Sequence, residues 1–369
     1  MSAVAPATSR LNLLDRYLTG WILAAMVGGI ALGRWVPEVP QAVGQWMVPD
    51  TPVPLAVGLG LILMMYPPLA RVRYEELGRI FRAPRLVLLS LAQNWFVGPL
   101  LMFVLALLFL RSAPALLIGL VLIGSARCIA MVLVWNELAG GDREFAAGLV
   151  AFNSLFQVFF YGAYVYLFVT ILLPYAGVPA LSVPISWNLV VLSVVLFLGL
   201  PFAAGALTRA SYGAKRALPH YDRNVAPRLA PLALGALLYT IVVMFAFQSR
   251  AIVALPGDVA LVAAPLILYF ALMFSISFYL SRRTGATYAR TAALSLTAAS
   301  NNFELAITVA VAVFGIASLE ALAATVGPLV EVPVLLGLVR LSTYLGRRYF
   351  PDFRHDASPS IGPASPESE

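Results

Sequence analysis

Gly124-Ser125-Ala126-Arg127-Cys128-Ile129-Ala130-Met131 lies inside an apolar segment, 115–138, where a membrane helix should run unbroken. It holds the chain's only cysteine, Cys128, with Arg127 beside it. Small residues that weaken a helix come just before them. A second apolar segment, 289–314, is interrupted in the same way by Thr297-Ala298-Ala299-Ser300-Asn301-Asn302-Phe303-Glu304. A broken helix exposes backbone N–H and C=O groups that lipid cannot satisfy, so such breaks must be buried in protein or line a wet cavity. The two breaks are therefore expected to form one site at the bilayer midplane, held and moved by the rest of the chain.

Hydrophobic residues make up 61% of the 369 positions and charged residues only 11%. Soluble domains carry roughly 25% charged residues, so an ordinary soluble domain is excluded. The apolar runs are continuous rather than alternating, which excludes a membrane barrel and predicts an all-α polytopic membrane protein. Ten transmembrane helices are expected, over 18–36, 53–69, 86–110, 115–138, 145–173, 188–207, 229–247, 259–280, 289–314 and 319–345. The net charge of +7 is carried between the apolar runs, where orientation signals belong, and is no nucleic-acid footprint. His220 and His355 fall in expected loops, so no histidine metal site is expected in the membrane. One cysteine rules out an internal disulfide, and with no P-loop there is no ATP hydrolysis in this chain. No cofactor and no signal peptide are expected.

An even number of spans puts both termini on one side. Loops on that side carry Arg71, Arg73, Arg143, Arg209, Arg282, Arg347 and many further bases, whereas the opposite loops carry only Arg34, Arg111 and Arg250. Both termini are thus expected in the cytoplasm. The organisation expected is a cytoplasmic segment 1–16, a first five-span repeat 17–173, an external linker 174–186, a second repeat 187–348 and a disordered tail 349–369. Each break falls in the fourth span of its half, and five is odd, so the second half enters the membrane inverted. Inverted repeats with broken helices at matching positions are a plan of secondary transporters. A receptor or structural protein fits poorly, since the loops hold no sizeable soluble domain.

Cys128 reads either as a small buried hydrophobe or, beside a cation and a helix end, as a soft ligand in thiolate form. Glu304 is an ionisable group deep in a span, costing at least ~2.5 kcal/mol to bury charged, and so able to exchange a proton as the cavity faces each side. Arg127 needs a partner within the membrane, or a water-filled cavity; Glu304 and Glu331 are the candidate partners, and a structural ion pair stands level with substrate contact. Asn94, Asn153, Gln157, Asn301 and Asn302 either line a polar cavity or coordinate a cation, or else make interhelical hydrogen bonds. Trp135 reads as interfacial packing.

The run Ala126-Arg127-Cys128-Ile129-Ala130-Met131-Val132, then Val134-Trp135 and Val150-Ala151-Phe152-Asn153-Ser154, closely resembles the arsenite efflux permease family of the bile acid/sodium symporter-like superfamily. So do Met64-Met65-Tyr66-Pro67-Pro68-Leu69-Ala70-Arg71, Ser300-Asn301-Asn302-Phe303-Glu304-Leu305-Ala306 and Gly327-Pro328-Leu329-Val330-Glu331-Val332-Pro333. The resemblance spans nearly the whole membrane region. It implies a multi-pass carrier of the plasma (inner) membrane that extrudes arsenite, sometimes antimonite, driven by protons. It implies substrate binding at Cys128, Arg127, Asn153 and Asn302, proton coupling at Glu304 and Glu331, and support from Trp135, with Asn94 and Asn301 added from the sequence itself. Leu319-Glu320 stands where relatives often have Gly-Gln, and 208–228 aligns with nothing in the family. The alternative on the same fold is a sodium-coupled symporter of an organic anion, with the Asn/Gln/Glu cluster as a sodium site; a cysteine in the break argues against it.

Overall fold

A computed structural model describes residues 18–76, 78, 81, 83–178, 187–213, 218–254, 256–351 and 353. The expected N-terminal segment 1–16, most of the linker 174–186 and nearly all of the tail beyond 349 lie outside the described residues. The described chain is helical, and its only β-type pairing is the isolated bridge between Met47 and Pro54. In chain order the helices are α1 (Leu18–Trp35), α2 (Leu55–Arg71), α3 (Pro84–Leu110), α4 (Pro114–Ser125), α5 (Met131–Leu138) and α6 (Arg143–Tyr175). There follow α7 (Trp187–Ser211), α8 (Ala226–Ala254), α9 (Pro256–Arg283), α10 (Tyr288–Ala299), α11 (Phe303–Phe314) and α12 (Leu319–Tyr349). Among the described residues, seven helical segments are long and apolar enough to cross a membrane, and shorter apolar helices stand beside them.

Helix starts follow local chemistry. Pro84 and Pro114 open α3 and α4, where the missing N–H costs nothing. Asp142 caps α6 by accepting the Phe145 N–H at 2.9 Å, and Ser318 caps α12 through the Ala321 N–H at 3.1 Å. Prolines also shape helix interiors. π-helical segments Gln93–Val97, Tyr166–Leu172, Val195–Gly199 and Tyr221–Val225 each end two residues before a proline: Pro99, Pro174, Pro201 and Pro227. Proline lacks the N–H for the carbonyl four residues back and crowds it, so the helix widens by one residue.

Two groups of helices result. In one, α1 and α2 pack on α8, and α7 packs on α2. The approach is backbone-close: a Cβ at Gly29 would lie 2.5 Å from the Val242 carbonyl oxygen, and Gly33 likewise abuts Ala246. Small residues at such crossings are how membrane helices gain van der Waals contact. In the other group α4 packs on α3 and α12, while α9 packs on α10 and α12. A Cβ at Gly119 of α4 would meet the Glu320 carbonyl oxygen of α12 at 2.7 Å. The broken segment Tyr288–Phe314 is the most enclosed, with 94% of its apolar window buried against 33% for α6.

The stretch 208–228, expected as a polar loop, is largely helical where it is described: α7 runs on to Ser211, and helix resumes at Leu218. Arg209 is buried there, donating to Asp222 at 2.9 Å and forming a two-armed pair with Glu75. Its charge is satisfied from a distant part of the chain, so the polarity does not force a loop.

Candidate functional site

The two breaks meet. Helix α4 stops at Ser125 because Ala126 turns extended (φ −105°, ψ 139°), and α10 stops at Ala299 because Ser300 does the same (φ −93°, ψ 142°). The extended pieces run past each other: the Cys128 N–H donates to the Ser300 carbonyl at 3.4 Å, and the Asn302 N–H donates to the Ala126 carbonyl at 3.5 Å. The register is reciprocal about Arg127 and Asn301. The Asn301 amide adds bonds to the carbonyls of Ile123 (2.8 Å) and Ala126 (3.0 Å). Each break thus satisfies backbone groups that the other frees, which a membrane interior requires.

Four helix ends converge at this crossing, and the side chains sort by the sign of those ends. At the N-terminal ends of α5 and α11 lie the electron-rich groups. The Cys128 sulfur accepts the Val132 N–H at 3.4 Å, the Asn302 side-chain oxygen accepts the Leu305 N–H at 3.0 Å, and Glu304 sits in the first turn of α11. Glu331 of α12 is buried and accepts a 2.6 Å hydrogen bond from the Ser300 hydroxyl. Cys128 is linked to Glu331 through Ser300, whose carbonyl accepts the Cys128 N–H and whose hydroxyl donates to Glu331. At the C-terminal ends of α4 and α10 lies the cation. The Arg127 guanidinium donates to the Tyr269 hydroxyl at 2.8 Å and to the carbonyls of Ala298 (3.4 Å) and Gly124, each the penultimate residue of its half-helix. Its backbone N–H donates to the Gln157 side chain at 2.9 Å.

This corrects the expected pairing of Arg127. Its hydrogen-bond partners are backbone and hydroxyl oxygens, not Glu304 or Glu331. Nor does Arg127 reach the cavity described next, and its charge is not paired with the Cys128 sulfur.

A cavity of about 520 Å³ opens between the two helix groups. Its inner wall includes Met131, Asn136, Phe303, Glu304, Pro328 and Glu331, and its outer part is lined by Arg71, Arg73, Glu137, Arg143 and Asp222. Glu304 and Glu331 therefore face it directly. Cys128, Asn301 and Asn302 are buried beside the lining rather than on it, the neighbouring Ala130 and Met131 forming the wall. Asn94 and Asn153 belong to a different cluster: the Asn94 amide donates to Ser90 at 3.0 Å, and Asn153 accepts from the Trp95 indole at 3.2 Å. Trp135 is buried in the core, not interfacial. Sequence reasoning missed Asn136, which is buried on the cavity wall and has no hydrogen-bond partner for either amide atom among the described residues. It also missed Tyr269, whose hydroxyl accepts from Arg127 and whose letter in an apolar helix carries no sign of that.

Comparison with known proteins agrees with this geometry. The pattern of the Sodium Bile acid symporter family matches residues 58–255. The chain is 45% identical over 344 residues to the arsenical-resistance protein Acr3 of Corynebacterium glutamicum, covering 93% of this chain and 92% of that one. It is 30% identical to the arsenical-resistance protein Acr3 of Alkaliphilus metalliredigens, over 93% of this chain and 95% of the other. An uncharacterized transporter of Synechocystis is 34% identical over 91% of this chain and 90% of its own length. With crossed helix breaks at the inner end of an open cavity, and likeness over nearly its whole length to such proteins, the chain belongs to the sodium bile acid symporter family, alongside its arsenical-resistance proteins, and is a carrier rather than an enzyme.

Proposed function

We propose that this chain exports arsenite, with antimonite as a second substrate, from the cytoplasm in exchange for protons. The observation that carries the reading is the placement of one thiol and two carboxyls at the crossing of the breaks, with both carboxyls on the wall of an open cavity. A soft sulfur suits a thiophilic metalloid, and one thiol alone binds loosely enough for release. The names of the two relatives point to the same substrate class. At neutral pH arsenite is uncharged As(OH)3, so its hydroxyls need hydrogen-bond partners rather than a counter-ion. Glu304, Glu331 and Asn136 line the cavity it would fill, and Asn302 caps the α11 start at the crossing. Arg127, Asn153, Trp135, Asn94 and Asn301 hold the crossing and its surroundings.

In this scheme arsenite reaches Cys128 from the cytoplasm while Glu304 is ionised. Reorientation exposes the site to the outside, protonation of Glu304 weakens binding, and the proton is lost inside after return. Ten spans in two inverted halves, 17–173 and 187–348, would make the two orientations near-equivalent. Both termini then lie in the cytoplasm of a plasma-membrane protein.

Everted vesicles test it. Wild-type vesicles should accumulate arsenite when a proton gradient is imposed and stop when a protonophore collapses it. Cys128→Ala should transport at least tenfold less, roughly the loss of one good site contact. Accumulation that survives both gradient collapse and Glu304→Gln would sink the scheme.

A further inference from the structure

We infer that the Arg127 guanidinium is a tethered cation that fills an oxygen cage at the helix crossing and so frees this carrier from any need for sodium. The cage is made of the Gly124 and Ala298 carbonyls and the Tyr269 hydroxyl, with Gln157 fixing the Arg127 backbone. The two carbonyls stand at equivalent places in the two halves, one residue before the end of α4 and of α10. Helix C-terminal ends and unwound carbonyls are what carriers use to coordinate a sodium ion. Here those groups face a fully buried side-chain cation that has no carboxylate among its hydrogen-bond partners.

The surroundings are shaped for that cation. A Cβ at Gly98 would lie 2.8 Å from an Arg127 terminal nitrogen and 3.1 Å from the Tyr269 oxygen, so glycine leaves the room the guanidinium takes. The two terminal nitrogens of the planar fork reach the three oxygens at once, while the Nε has no hydrogen-bond partner among the described residues. A chemical consequence follows for the carboxyls. With the cage neutralised from within, Glu304 and Glu331 have no metal cation to balance and remain available for protons. The family takes its name from sodium symport, and in this chain the oxygens at the crossing are taken by a covalently held cation. The inference rests on the chain being a carrier, not on arsenite being its cargo.

The test uses the full chain, purified and reconstituted, as wild type, Arg127→Ser, Arg127→Met and Arg127→Lys. Melting temperature is measured in sodium, choline and choline plus guanidinium media, and arsenite transport in the same media. Wild type and Arg127→Lys should be indifferent to sodium in both measurements. Arg127→Ser should melt lower in choline and gain a few degrees with sodium or guanidinium, as expected for a ligand that binds only the folded state. Its transport should fall about tenfold and recover in part with either ion. A wild type that needs sodium overturns the proposal, as does Arg127→Ser unmoved by both ions. If Arg127→Ser does not fold in any medium, Arg127→Met and Arg127→Lys decide. Equal stability and transport of those two in choline would show that no cation is required there. The melting readout stands even if arsenite is not the substrate, so failure of this inference is distinguishable from failure of the proposed function.

Discussion

Asn136 is a buried amide with work left to do. Both its polar atoms are buried without a hydrogen-bond partner among the described residues, on a residue that lines the cavity, which is costly unless something fills the site. Asn136→Leu removes those atoms at similar volume. It should raise the KM for arsenite export about three- to tenfold, the value of one or two hydrogen bonds at ~1 kcal/mol each. It should leave the melting temperature unchanged or higher, since no protein bond is lost. A variant that melts lower with normal KM would assign Asn136 to structure instead. In the sequence this residue stands in the short, mostly apolar run Met131–Leu138, where a lone amide carries no sign of a missing partner. Cys128 and Glu304 were legible because a thiol and a carboxyl are conspicuous in apolar surroundings. The partners of Arg127 were not, because two of them are backbone carbonyls at helix ends, and a carbonyl has no letter of its own in a sequence.

At the scale of elements, the prolines link local chemistry to packing. Pro99 leaves the carbonyl of Trp95, four residues earlier, without its helical donor, and the Tyr164 hydroxyl of α6 takes that carbonyl at 2.5 Å. The Trp95 indole meanwhile reaches Asn153 of the same helix. Helix α3 is thereby fastened to α6 at its widened turn, beside Gln93, which accepts from Ser277 of α9 at 2.7 Å. Tyr164→Phe should destabilise by about 1–3 kcal/mol, the cost of an unpaired carbonyl in a dry setting. In a Pro99→Ala background the carbonyl regains an intrahelical donor, so the same substitution should cost much less. Thermal or denaturant unfolding of the two single variants and the double variant measures the coupling. Additive losses would mean that Tyr164 acts through its ring alone. The helix breaks themselves could be placed from Gly124-Ser125 and Ser300-Asn301, since small and amide residues favour leaving a helix. The helical path of 208–228 could not, because polarity there reflects a buried ion network joined through Glu75, far earlier in the chain.

Across the whole molecule, the cavity is bordered by charges, and ion pairs stand on either side of it. Arg209 ties Glu75 and Asp222 together, with Arg73 on Asp222 at 3.3 Å, within the group of α2, α7 and α8. On the other side Arg143 holds Glu137 at 2.6 Å, and Arg290 reaches Asp142 at 3.5 Å. The same loops bear most of the chain's bases, so a fluorescent reporter that matures only in the cytoplasm should light up when fused to the C-terminus. A dark reporter would reverse the proposed direction of the cavity and of export with it.

The network also fixes how the fold should respond to acid. Burial alone pushes the Glu75 carboxyl up, but the Arg209 hydrogen bonds, its own backbone N–H and the charges of Arg209 and Arg73 outweigh that and hold it below the ordinary carboxylate range. A carboxyl depressed in the folded state adds stability above its unfolded value, about 4.3 for glutamate, and loses it as pH falls through the folded value. The contribution of this pair should therefore be level through neutral pH and decline only in acid. Glu75 is partly open to solvent, so its share is modest. The Arg209 partner is nearly sealed, however, and losing a counter-ion there strands a buried charge. Glu75→Gln should accordingly lower the melting temperature at neutral pH and flatten its acid decline. Arsenite transport driven by an imposed gradient should keep its own pH profile in that variant, because the cavity carboxyls are separate from this network. If Glu75→Gln instead shifted the pH profile of transport and left the melting curve alone, the pair would be part of the coupling path rather than a clasp on one helix group.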